Sequence, residues 1–195
     1  MMDILTDVPS NNLYNKLEEG SYYDNLSIIE IKFFYGIIIL NLHKYNLINF
    51  QDIENLKYSL ENYKKTDSNL IDKFRYNINI AYGKLNIKDS LIVTNTATKY
   101  LKEIKLINGI KHIDVDFIIL ENEALSVVSK IIKKDFKHSN IIEKSFIYYK
   151  GFKRIYYTNG YNHKSNQNMS RFEPDELNEI DRLIRKDKLN KILKV

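Results

Sequence analysis

The spacing of apolar residues divides the chain into segments. Asn11 to Glu19 follows Pro9-Ser10 and stops at Gly20, which predicts a short helix. Asp24 or Asn25 then stands where a helix cap belongs. Ile28, Ile31, Phe34, Tyr35, Ile38, Leu42 and Tyr45 recur at steps of three and four, so one long helix is predicted to about Tyr45. Ile53, Leu56, Leu60 and Tyr63 form a stripe on a helix from Gln51 to Lys65, with lysine and glutamate opposite. Thr66-Asp67-Ser68-Asn69 breaks the pattern. It caps a further helix from Leu70 to Leu85, whose Ile71, Phe74, Ile78 and Ala81 face one way. Residues 1–86 thus read as a helical bundle.

Beyond them the period changes. Ser90 to Thr94 is short and β-branched, as a strand should be. Thr96 to Ile107 returns to helical spacing through Tyr100, Leu101 and Ile104, and Asn108-Gly109 stops it. His112 to Leu120 opens with strict alternation and ends apolar, which predicts one strand entering the core. Asn122 caps a helix from Glu123 to Phe136. Ser145 to Thr158 reads as a hairpin turning at Lys150-Gly151. A polar loop follows, from Asn159 to Phe172. Glu173-Pro174-Asp175-Glu176 then starts a last helix that runs to about Leu193, with proline in its first turn and acids at the positive end of the macrodipole. The expected class is α+β: an N-terminal helical bundle packed on a small mixed sheet with helices, followed by a C-terminal amphipathic helix. The division falls between residues 1–86 and 87–195. Asn86-Ile87-Lys88-Asp89 is too short for a free linker, so the two parts are expected to pack together.

Composition narrows the chemistry. Among 195 residues there is no cysteine, which excludes disulfides, thiolate metal sites and a thiol nucleophile. Lysine outnumbers arginine 25 to 5, and only Ala81, Ala97 and Ala124 represent alanine. That bias is what an A/T-rich genome produces, such as that of a phage, large DNA virus, endosymbiont or parasite. Part of the lysine content is therefore mutational in origin. The net charge of +5 is nevertheless uneven: residues 1–100 carry −1 and residues 101–195 carry +6. The excess gathers at Lys130, Lys133, Lys134 and Lys137, at Lys150, Lys153 and Arg154, and from Arg182 to Lys194. The N-terminus is acidic and lacks the pattern of a secretory signal. The apolar run from Phe33 to Leu40 is too short to span a bilayer. An intracellular location is expected, in the cytoplasm of a host cell or in a virion, with no membrane partner.

Three groups of residues carry the functional expectations. Lys150, Lys153 and Arg154 are interleaved with Tyr149, Tyr156 and Tyr157. Aromatic faces stack on unpaired bases while cations neutralise phosphates, so the hairpin suits single-stranded nucleic acid. The same pattern suits tyrosines that pack a sheet and lysines that keep its edge soluble. In the last helix, Leu177, Ile180 and Ile184 form a stripe beside Arg185, and Leu189, Ile192 and Leu193 prolong it. That stripe can dock on this chain or on another subunit. Finally, His112, Asp114 and Asp116 alternate along the predicted strand and so share one face. Paired aspartates can hold Mg²⁺ for phosphoryl transfer. This D-x-D spacing resembles that of the nucleotidyltransferases, although Val93 to Ala97 lacks the glycine of that family's upstream phosphate loop. Three functions follow. The first is a non-enzymatic assembly or binding protein of a phage, virus or other A/T-rich replicon: a virion or connector component, or an accessory subunit that meets other protein subunits or itself. The second is a nucleic-acid-binding module built on the hairpin. The third is a metal-dependent phosphoryl-transfer enzyme, the one reading that calls for a cofactor, Mg²⁺.

Overall fold

The computed structural model describes residues 12–63, 68–115, 117–151, 154–159 and 172–193. Within them the class is α+β. The strands are β1 (Asn12–Asn15), β2 (Ser21–Glu30), β3 (Ile110–Asp114), β4 (Phe117–Glu121), β5 (Asn140–Tyr149) and β6 (Ile155–Asn159). The helices are α1 (Phe34–Lys44), α2 (Ile53–Asn62), α3 (Ser68–Ile80), α4 (Ile87–Lys105), α5 (Asn122–Asp135) and α6 (Pro174–Leu193). The strands form one sheet in the order β1-β3-β4-β2-β5-β6. Every pairing between them is antiparallel, where a mixed sheet was expected.

The N-terminal part is not purely helical. The short helix predicted before Gly20 is replaced by β1, and the first half of the predicted long helix is β2. The three- and four-residue steps from Ile28 onward are a coincidence of a dense apolar run. Ser27, Ile28 and Ile29 are consecutive and all buried, so both faces of β2 are covered and periodicity carries no signal there. Phe33, at φ 61°, breaks the chain between β2 and α1. Because β2 lies between β4 and β5, the sheet draws strands from both sides of position 86.

Two further elements differ from expectation. Ser90 to Thr94 lies inside α4, where Val93 and Thr94 are buried. Asn86 caps that helix: its Oδ1 accepts the Asp89 N–H at 2.9 Å, and its Nδ2 donates to Asp89 Oδ2 at 2.9 Å. The single strand predicted from His112 to Leu120 is a hairpin. β3 ends at Asp114, whose Oδ1 accepts the Val115 N–H at 2.6 Å, and Phe117 already starts β4.

The alternation of each strand sorts its side chains between packed layers. Ile29, Ile113, Ile118 and Leu120 meet α1, α4 and α5 through Ile39, Val93, Leu101, Val128 and Ile132. Gly36 lets α1 approach α3, since a Cβ there would stand 2.7 Å from Ile78 Cγ2. On the other face Leu26, Ile28, Ile119, Ile147, Tyr149 and Ile155 form a second core with Leu17. The sheet curls around it: Asn15 at the end of β1 reaches the Tyr149 hydroxyl on β5, although three strands stand between them in the sheet. A third cluster joins Phe146, Tyr148 and Tyr156 to Phe172, Ile180 and Ile184, which docks α6 on the β5–β6 hairpin. No helix among the described residues is long and apolar enough to cross a membrane.

Candidate functional site

His112 and Asp114 do share a face, but that face is the inner side of the curled sheet. His112 is fully buried and Asp114 nearly so. The His112 ring packs 5.4 Å from Phe117 and 5.8 Å from Tyr149, centroid to centroid. Its Nδ1 lies 3.1 Å from Asn15 Oδ1. That oxygen also accepts the Leu17 N–H, while Asn15 Nδ2 donates to Leu17 O and to the Tyr149 hydroxyl. The amide orientation is therefore fixed, and His112 must donate from Nδ1–H. Nε2 finds no hydrogen-bond partner among the described residues. Burial lowers the imidazole from its ordinary 6.5 to about 4, so it is neutral at physiological pH. Asp116 lies outside the described residues. Asp114 is the last residue of β3. No group of three His, Asp or Glu side chains among the described residues is arranged to hold a metal ion.

The aromatic hairpin forms with the predicted turn, and Gly151 supplies a φ of 95° there. Its tyrosines are placed differently from the nucleic-acid expectation. Tyr149 and Tyr156 are buried in the second and third clusters, and their faces are not open to a base. Burial, with the nearby Asp181 carboxylate, raises the Tyr156 hydroxyl above its usual range. Tyr157 donates to Glu30 across the concave face. Arg154 pairs with Glu176 in the first turn of α6 and lies 5.5 Å from the Phe172 ring centroid. Lys150 Nζ stands 4.0 Å from the other oxygen of Glu176. Lys153 lies outside the described residues. The hairpin cations thus anchor the start of α6.

The stripe of α6 splits in two. Ile180 and Ile184 are buried against the hairpin, with Leu177 half-buried beside them. Leu189 is nine residues beyond Ile180, which at about 100° per residue puts it half a turn away. It is 55% exposed, and Ile192 and Leu193, on the same side at the next turn, are 70% and 74% exposed. They do not prolong the docked stripe. They begin a second apolar face pointing away from the chain, with Arg185 exposed one turn before Leu189. Lys191 holds the helix end on the body through Asp24 at 3.4 Å and bonds Asp187 at 3.0 Å.

One shallow cleft of about 330 Å³ lies between the end of α1 and the start of α4, lined by His43, Asn46, Leu47, Ile48, Lys88 and Asp89. Asp89 is buried and already accepts the Asn49 N–H and the Asn86 amide. Its carboxylate therefore serves the α4 cap. Asn86-Ile87-Lys88-Asp89 is thus a helix start and not a connection, in keeping with a capping residue followed three positions later by an acid.

No protein-family model matches the chain, and no curated protein matches it. Among solved structures the chain is similar to the family B DNA polymerase from the hyperthermophilic archaeon Pyrobaculum calidifontis, with 13% identity and a TM-score of 0.48 over 71% of this chain. The chain spans 26% of the length of that polymerase.

Proposed function

We propose that this chain is a non-enzymatic assembly or binding protein whose interaction element is the distal half of α6. We read it as a component of a phage, virus or other A/T-rich replicon. The observation that supports this is the outward face of Leu189, Ile192 and Leu193, exposed on a helix that is otherwise firmly held. Its first half is docked through Ile180 and Ile184, its N-terminus is tied by Arg154 and Glu176, and its end is tied by Lys191. A rigid helix presenting an apolar stripe costs little ordering entropy on association. Arg185 beside that stripe suits a partner with an apolar groove and an acidic rim. The partner is another protein subunit or a second copy of this chain.

The test is light scattering on the purified chain together with capture of the neighbouring gene products. Leu189→Asp with Ile192→Asp should abolish the association and leave the circular dichroism spectrum unchanged, because both side chains are solvent-facing. A chain that is monomeric and captures none of those products would overturn the proposal, as would a double variant that associates like the wild type.

A further inference from the structure

The charge cluster that the hairpin and α6 do not absorb is the one on α5. Val128 and Ile132 bury one side of this helix. At about 100° per residue, Lys130, Lys133 and Lys134 fall within a sector about 100° wide on the opposite side. All three are exposed, and exposed Lys137 follows two residues past the helix end. None of the four has an ion-pair partner among the described residues, whereas Lys84, Lys111, Lys150 and Lys191 each do. Glu123 is the one acid of α5 in that sector. It sits in the first turn, about 10 Å along the axis from Lys130. Val127 and Ile131 border the lysines, with 51% and 37% exposure.

We infer that this face of α5 binds the phosphate backbone of double-stranded nucleic acid, independently of sequence. Several unpaired ammonium groups on adjacent turns match a ligand whose charge repeats at short intervals, and their flexible stems can follow it. The face carries no aromatic residue and so offers no stacking platform for separated bases. Two half-exposed aliphatic side chains give too little apolar area for insertion into a bilayer. The surface is separate from the α6 face proposed above, and either reading can fail alone.

The experiment follows the anisotropy of a fluorescein-labelled duplex of arbitrary sequence with the full chain, across a salt series. If all four lysines contact phosphates, log K against log salt should slope at about −3.6. Lys130→Gln with Lys134→Gln should make that slope shallower by about 2 and lower affinity at low salt about tenfold or more. Lys88→Gln with Lys102→Gln, a charge-matched pair of changes on α4, should alter neither. The inference is overturned if the duplex does not bind at low salt, or if the double variant keeps the wild-type slope. It is also overturned if the chain ignores the duplex but binds vesicles containing phosphatidylserine, which would assign the face to a lipid surface.

Discussion

Acid should unfold this protein partly through one side chain. His112 is enclosed by Phe117, Tyr149 and Asn15, donates from Nδ1, and has Nε2 pointing at no acceptor. A second proton would have to enter at Nε2 and remain there without a partner. Its folded-state value of about 4 lies below the value of 6.5 it regains on unfolding. Above pH 6.5 both states are neutral and the histidine gives no pH dependence. As the pH falls between the two values the unfolded chain binds the proton first, so stability is lost. The loss is about 2 kcal/mol by pH 5 and reaches roughly 3 kcal/mol below pH 4. Other groups titrate in this range, so the measurement is a difference. Urea unfolding at pH 8 and pH 5 is compared for the wild type and His112→Gln, and the wild type should lose about 2 kcal/mol more. The imidazole C–H resonances of the folded wild type provide a second readout, with one histidine remaining neutral below pH 5. Parallel losses in the two proteins, together with four histidines that all titrate near 6.5, would refute the reasoning.

Two packing predictions join those for α6 and α5. Gly36→Ala places a methyl 2.7 Å from Cγ2 of Ile78, which is itself buried, so overpacking should outweigh the gain in helix propensity. A net loss of about 1 kcal/mol or more is expected in urea unfolding, and an unchanged midpoint would show that α1 and α3 are further apart than described. Ile184→Ala empties a site in the α6–hairpin cluster and should cost about 2–4 kcal/mol. Because that cluster is separate from the main core, amide exchange should quicken in α6 while α1, α4 and α5 keep their protection. Uniform loss of protection would count against a separable α6.

What the sequence revealed depended on whether an element has one buried side. α2, α5 and α6 are each packed through one face, and their apolar spacing predicts them nearly where they lie. The β5–β6 hairpin is covered on both faces, by the second core and by α6, and it is its turn at Lys150-Gly151 that predicts it. β2 is covered on both, so Leu26 to Ile31 presents a run with no readable period. In α4 the β-branched Ile92-Val93-Thr94 favours a strand locally, and burial of Val93 and Thr94 against the core overrides that preference. The turn between β3 and β4 contains no glycine. Its signal was Asp114, an acid able to accept the next backbone N–H, which read more readily as a metal ligand. Burial was the missing information at the candidate sites. Alternation put His112 beside Asp114 and put the tyrosines among cations, but it could not say which side of the sheet was closed. The two faces of α6 are legible in the spacing of Ile180 and Leu189 alone, which stand half a turn apart.

The position of β2 also sets an order of events during synthesis. Leu26 must find Glu121 on one side and Ser145 on the other, partners 95 and 119 residues further along. Until those partners leave the ribosome, a strand that carries Leu26, Ile28 and Ile29 has two unsatisfied edges and two uncovered faces, the state in which chains pair with the wrong neighbour. Closing such distant pairings is slow compared with forming the local helices α1 to α4. The nascent chain therefore carries β2 well ahead of the two strands that cover its edges, and its yield in a cell depends on how that interval is bridged.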